Sequence, residues 1–432
     1  SILTAFLFGL APAVRAARSD LADALKAQTR SVIGGRLRLP RLLVSIQIAL
    51  CLTALVAAGL LGRSLGNLKQ VDAGFDRENL AYATVNPWQA GYSAEHIGQY
   101  VDRVRRELAR LPGVVRVSPV EVRLLSGNGN ASRVSIPGRP SRIERGIVAP
   151  ADMATMNRVG DGLVETLRIP LIAGRTLEQR DMRPNADAVV VDELFARHFF
   201  PNQNPLGRRF GFFGSKQDNR YEIVGVVRAG LYNSLRSDPV PAVYAAYVPG
   251  ELKGSIHFAM RASIDSGRLI EGVRKAIASV DPAVPLTEFH TQTALIDRLL
   301  RTERLLAFLS DAFGLVALTL AAIGIGGLLA YSVARRTNEI GIRMALGAAA
   351  GDVIRMVLRD SFWIVGTGIV IGLPCAYAMG RVLHTQLFRL QTLDPATAAL
   401  SFGALLAIAL LAAWAPARRA ARIEPMAALR EE

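Results

Sequence analysis

Residues that carry chemistry are scarce in this chain. It holds five histidines and two cysteines among 432 residues. His96, His198, His257, His290 and His384 are scattered, with no HExxH pair to hold zinc. Cys51 and Cys375 each sit inside an apolar run without CxxC spacing, so they read as packing residues and not as a disulfide, a zinc ligand or a nucleophile. The glycines at Gly127-Asn128-Gly129 lack the lysine of a phosphate-binding GxxxxGK[ST] loop and read as a hairpin. Neighbouring acids such as Asp192-Glu193 point in different directions on a helix and read as solvated. No catalytic residue, cofactor site or metal site can be named.

Acidic charge is short as well. Aspartate and glutamate total 36 against 51 lysines and arginines, a net charge of +15. Such a balance suits nucleic acid, acidic ligands or a membrane surface. The basic residues cluster beside long apolar runs, and 51% of the chain is hydrophobic. The expected partner is therefore a lipid bilayer, with no nucleic acid. Arg103, Arg105, Arg106 and Arg110 share one predicted helix and read as its solvated face.

Long apolar runs are what the chain has in place of an active site. Leu42–Gly62 lies uncharged between Arg41 and Arg63. Further runs occupy 312–334, 361–380 and 395–417. Each is near the 20 or so residues that span a bilayer. The third contains Gly368-x-x-x-Gly372, a spacing that lets helices approach closely, and Pro374. Arg335, Arg336, Arg343, Arg355 and Arg359 lie between the second and third runs, and Arg418, Arg419, Arg422 and Arg430 follow the fourth. The short connection 381–394 has only Arg381 and Arg389. The positive-inside bias then puts both ends in the cytosol and the polar stretch 64–304 outside.

That stretch contains two β-α-β patterns. Strand 80–87 precedes a helix carrying Ile97, Val101, Val104, Leu108 and Leu111, and then a strand from Val114. Strand 256–263 precedes a helix carrying Leu269, Val273, Ile277 and Val280, and then a strand around 284–289. Between them an insert of about 150–250 is rich in turn and strand signals. Glu288–Arg304 reads as a helix returning to the membrane. The chain also repeats itself: LAPAVRAARSDLADALK near the start parallels WAPARRAARIEPMAALR at the end. With Ser1 inside an apolar run, residues 1–30 read as the end of an upstream copy of the closing unit.

The order of one span, a large outer stretch and three spans, with EIGIRMALGA after the second, resembles the FtsX-like/MacB-type permeases of ABC transporters. LRIPLIAGRTLEQRD (167–181), VVVDELFARHFFPNQNPLGRRF (189–210), YEIVGVV (221–227) and IASVDPAVPL (277–286) are similar to the outer domain of that family. The terminal repeat resembles the second half of duplicated permeases, a group described mainly from acidobacteria. The resemblance implies a four-span α-helical bundle plus an α+β extracytoplasmic domain, two β-α-β porter-like halves with a β-rich insert. It implies domains at 31–63 (cytosolic entry and first span), 64–304 (MacB-type periplasmic domain) and 305–432 (FtsX-like permease domain).

The resemblance also implies a function. A separate ABC ATPase in the cytosol is expected to drive a permease in the bacterial inner membrane, which moves its periplasmic domain to export a hydrophobic compound, peptide or lipoprotein-like cargo. Catalysis and cofactors are expected on the ATPase and not here. Glu339, Ile340, Gly341, Ile342, Arg343, Ala345, Leu346 and Gly347 are the expected ATPase-coupling residues. Ile342 and Leu346, one turn apart, suit an apolar groove, and Glu339 and Arg343 its charged rim. A second FtsX-like unit, upstream or in another copy, and a periplasmic adaptor or hydrolase are further expected partners. Ala349-Ala350-Gly351 departs from the small polar and basic residues of relatives and leaves Asp352 as the best cap for the next helix. A signalling device acting on a cell-wall hydrolase and an ATPase-independent receptor remain open alternatives.

Overall fold

A computed structural model describes residues 38–126, 131–137, 143–144, 147–148, 152–184, 186–213, 219–232, 234–248, 254–346, 349–388, 390 and 394–420. Residues 1–30, with the first copy of the repeat, the Gly127–Gly129 hairpin, Arg389, Arg422, Arg430 and Gly347 lie outside them. The described chain forms two compact units. One is helical and takes the residues up to Gly62 and from Ala307; the other, built on a sheet, takes Arg63–Leu306.

Helix α1 (Arg38–Lys69) is 32 residues long, about 48 Å at 1.5 Å per residue. The sheet unit follows in the order β1 (Leu80–Val85), α2 (Ala94–Ala109), β2 (Val114–Val120) and β3 (Ala131–Ser135). Next come β4 (Ile143–Glu144), β5 (Ile147–Val148), β6 (Met153–Val159), α3 (Leu163–Leu167), β7 (Leu171–Gly174) and β8 (Ala188–Asp192). Then follow α4 (Glu193–Phe199), β9 (Arg209–Phe212), β10 (Tyr221–Val227) and β11 (Ala242–Ala246). The unit closes with β12 (Ile256–Ala262), α5 (Ile270–Val280), β13 (Leu286–Thr291) and α6 (Gln292–Leu299).

The two β-α-β patterns fold as expected but interleave. Their strands run in the order β2-β12-β1-β13, each neighbour antiparallel. A strand of one unit thus fills the gap left by the crossover of the other, the split β-α-β arrangement. Helices α2 and α5 cover one face, where Ile97, Val101, Val104 and Leu108 pack with Val273 and Ile277. Helical spacing brought those side chains onto one stripe. The other face holds a buried charge among apolar side chains such as Leu80 and Val120. Arg261 of β12 is 2% exposed and donates to the carbonyls of Thr166 and Asp76, each at 2.8 Å, and to that of Glu78. One buried cation thereby holds the segment after α1 and helix α3 onto the central strand. Arginine suits the task because its fork has five donors.

The segment between the patterns contributes a ring of strands, β6-β11-β8-β10-β9-β3 and back to β6. Closure leaves these strands without a free edge. β3 belongs to the ring, so the insert begins by Ala131, earlier than turn composition indicated. Pairing with a distant partner gives no local signal. Phe195, Phe199, Phe210, Phe212 and Tyr221 fill the interior with Ile223 and Val243. A second departure concerns Glu288–Thr291, which is the end of β13 and not helix; α6 starts only at Gln292. The Thr291 hydroxyl caps α6, accepting from the Ala294 amide at 3.1 Å.

Asp192 also departs from its expected solvated state. It is 0% exposed, and its carboxylate caps α4, accepting from the Phe195 amide at 2.7 Å. Burial pushes its carboxyl up to about 7.

The helical unit continues with α7 (Arg301–Arg335), α8 (Thr337–Ala345), α9 (Ala350–Leu383) and α10 (Pro395–Ala420). Helices α1, α7, α9 and α10 are each long and apolar enough to cross a membrane. The Gly368/Gly372 spacing has a partner: a methyl at Gly368 would lie 2.6 Å from Cγ2 of Ile48, and one at Gly372 3.0 Å from Cα of Ala49. Those glycines therefore let α1 and α9 approach backbone to backbone. Ser45 and Thr367 join hydroxyls across the same seam at 2.8 Å. Asp394 caps α10 by accepting from the Thr397 amide at 2.8 Å, with Pro395 at the first helical position. Cys51 is buried among the helices, and Cys375 is exposed on α9.

The raised Asp192 value predicts a pH dependence. A carboxyl whose folded pKa exceeds its unfolded value of about 3.9 favours folding fully below that value, and the contribution is lost as pH rises through about 7. Asp192→Asn keeps the cap to Phe195. Thermal unfolding should show a flatter stability profile between about pH 4 and 7 for the variant, and a higher Tm than the parent above that window.

Candidate functional site

Helix α8 is built for one face in and one face out. Arg336 alone separates it from α7, and the chain turns there with the Arg336 amide donating to the Val333 carbonyl at 3.0 Å. The Thr337 hydroxyl donates back to the Ala334 carbonyl at 2.9 Å, which ties the first turn of α8 to the last turn of α7. Ile340 and Gly341 are buried, and Met344 is partly so. With Thr337 these positions follow the i, i+3, i+4, i+7 pattern of an inward stripe. Ile340 is 2% exposed and packs with Leu329 of α7 and with Val353 and Val357 of α9. Such burial is worth about 1.5–3 kcal/mol.

The outer face carries Glu339, Ile342, Arg343, Ala345 and Leu346, all exposed. Ile342 is 48% exposed and Leu346 83%. They stand one turn apart, joined through the hydrogen bond from the Leu346 amide to the Ile342 carbonyl at 3.0 Å. Glu339 and Arg343 pair with each other at 2.6 Å. They neutralise one another and do not stand as two free rim charges. Arg343 also reaches the Met356 sulfur at 3.8 Å, which fixes it beside α9.

The root of α8 is ionic. One oxygen of the Asp360 carboxylate on α9 accepts from Arg41 of α1 at 3.1 Å and from Arg336 at 3.3 Å. Asp360 thus ties α1, the α7–α8 turn and α9 at one point. Sequence reasoning passed over it. The available signal was a single acid closing a stretch that holds Arg355 and Arg359 just before an apolar run.

The eight expected coupling residues therefore divide. Glu339, Ile342, Arg343, Ala345 and Leu346 are presented together; Ile340 and Gly341 are not, because they anchor the helix from within. The next helix begins at Ala350, with Ala349 in the cap position. Asp352 lies three residues further on and is not the cap. Its carboxylate accepts from the Ala349 amide at 3.3 Å, the returning half of a capping box. Alanine at the cap has no side-chain oxygen to complete it.

No group of three or more metal-binding side chains comes together among the described residues. The arginines of α2 are engaged in part: Arg105 pairs with Asp161 at 3.2 Å and Arg110 with Glu107 at 2.6 Å. His198 pairs with Asp152 at 3.3 Å.

Residues 42–282 match the family described as MacB-like periplasmic core domain, and residues 312–425 the FtsX-like permease C-terminal domain. The chain is 27% identical over 270 residues to the macrolide export ATP-binding/permease protein MacB of Marinobacter nauticus, covering 61% of this chain and 41% of that protein. It is 28% identical over 294 residues to the probable syringafactin export ATP-binding/permease protein SyfD of Pseudomonas syringae pv. tomato, covering 64% and 42%. The pyoverdine export ATP-binding/permease protein PvdT of Pseudomonas savastanoi pv. phaseolicola is 26% identical over 275 residues, covering 61% and 40%. The chain spans less than half the length of these relatives. Among solved structures, the periplasmic region of MacB from Actinobacillus actinomycetemcomitans is 14% identical with a TM-score of 0.33, covering 52% of this chain and 94% of that one.

The two faces of α8 should respond differently to substitution. Ile340→Ala removes packing between three helices and should cost about 2–5 kcal/mol. Leu346→Ala removes an exposed side chain and should stay within about 0.5 kcal/mol. Thermal unfolding of both variants in detergent measures the difference.

Proposed function

We propose, for a chain that belongs to the family of the MacB-like periplasmic core domain and the FtsX-like permease C-terminal domain, that it is the permease part of an ABC exporter and that α8 receives its ATPase. The observation that carries this reading is the pair Ile342 and Leu346, exposed on a helix whose opposite face is buried. An apolar pair at i, i+4 on a rigid short helix fits an apolar groove of a partner. The partner is a separate ABC ATPase, which supplies nucleotide chemistry for which this chain has no loop. The names of the relatives join ATP-binding and permease functions in one protein, which supports pairing this permease with an ABC ATPase.

The route of the motion has support in the connectivity. The chain passes between its two units within α1 and within α7. The same two helices meet at Asp360, through Arg41 near the start of α1 and Arg336 just after the end of α7. A push on α8 then moves the roots of both helices together, because an ion pair with two donors resists their separation. A helix with its hydrogen bonds intact carries such a displacement along its length. The sheet unit receives it and acts on the cargo or on an adaptor outside. A second permease unit completes the pair.

The membrane is the bacterial inner membrane, with α8 on the cytosolic side and the sheet unit in the periplasm. The arginines near α8 and at the end of α10 support that orientation. The export of macrolides, syringafactin and pyoverdine named for the relatives supports a hydrophobic or peptide-like cargo.

Ile342→Asp and Leu346→Asp test the docking face. Each should abolish co-purification of the ATPase with the full chain and stop export, while the thermal unfolding of the chain stays unchanged. Normal association in both variants would sink the assignment. Association lost without any loss of export would favour a role other than transport.

A further inference from the structure

Two ends of membrane-entering segments meet one loop in the sheet unit. The connection from β10 to β11 runs from Arg228 to Pro241, and residues 228–232 and 234–241 are described. At its start, Arg228 pairs with Asp72, just beyond α1, at 2.7 Å. The Leu231 amide donates to the Ala73 carbonyl at 2.9 Å. Gly74 lies so close that an added Cβ would sit 2.2 Å from the Ala229 carbonyl oxygen, and its φ of +80° suits glycine. Further along the loop, Arg236 pairs with Glu303 in the first turn of α7 at 3.0 Å. That pair is the more shielded, with side chains 29% and 20% exposed, against 51% and 61% for Arg228 and Asp72.

The loop itself has little slack. Leu231, Tyr232 and Leu235 are buried, and the Tyr232 carbonyl accepts from the Leu125 amide at 2.7 Å. Both of its ends lead directly into ring strands, and those two strands flank β8.

We infer that the Arg228–Pro241 connection is a clasp that couples the end of α1 to the start of α7 and passes a change in either to the strand ring. Its purpose rests on the mechanical role proposed above; its physics does not. A loop anchored by a buried middle and an ion pair towards each end cannot follow one helix end without disturbing its contact with the other. The thermodynamic signature is a reciprocal coupling between the two ion pairs of the loop. Arg236 and Arg228 are positioning residues in this scheme.

Hydrogen exchange on the full chain in lipid nanodiscs, read by mass spectrometry without any ATPase, tests it. Glu303→Gln should speed exchange about fivefold or more at 72–79 as well as at 234–238, and Asp72→Asn should do the same at 301–306. Protection in β1 and β12 should hold in both variants. The charge-exchanged pair Arg236→Glu with Glu303→Arg should restore slow exchange at 72–79. Increases confined to the neighbourhood of each substitution would overturn the clasp, as would a charge-exchanged pair that leaves 72–79 fast. Because no ATPase is present, loss of the docking assignment leaves this result standing, and the reverse also holds.

Discussion

One carboxylate carries the organisation of the helical unit. Asp360 offers a single oxygen to two guanidinium groups, one from the first helix and one from the turn between α7 and α8. Hydrogen bonds between charged groups are roughly twice as strong as neutral ones. At the end of an apolar bundle, where dispersion holds helices together with little directional preference, such a bond supplies the direction. It sets which turn of α1 lies beside which turn of α9. The glycine seam then becomes usable, since Gly368 and Gly372 must meet Ile48 and Ala49 and not their neighbours.

The same point fixes what α8 can do. With Arg336 held and Ile340 buried, the helix has no freedom to roll, and Ile342 and Leu346 stay on the outside. An apolar pair exposed at the polar end of a bundle costs hydration free energy, roughly in proportion to its area. The fold tolerates that cost at α8 while covering Ile340 on the opposite side of the same helix. That contrast, more than the motif itself, supports the docking face proposed for α8.

The sheet unit solves a different problem with similar means. A buried arginine, Arg261, stands on a central strand of the sheet and donates to three backbone carbonyls outside its strands. Removing a buried guanidinium's partners would be costly, so the segment after α1 is held in one place. The ring of strands is closed and therefore stiff at its edges, and the loop between β10 and β11 ties it to the ends of both long helices. Polar groups do the positioning throughout, and apolar groups do the filling.

Much of this was legible in the residues. Four runs of apolar residues bounded by charged residues announce membrane helices, because length and charge cost act locally. The stripes Ile97–Leu108 and Val273–Ile277 announce two covering helices, because period is local too. The apolar pair Ile342 and Leu346 could be read at helical spacing. Spacing could not say that Ile340 and Gly341 face inward, since a short helix with apolar residues on several sides has no preferred face until a neighbour covers one. Nor could it reveal the interleaved strands, the ring that begins at β3, the buried Asp192 or the two bonds to Asp360. Apart from Asp192, whose cap bond to Phe195 is local and whose burial is not, each of these joins residues far apart in the chain, and only the packed structure brings their atoms within hydrogen-bond reach.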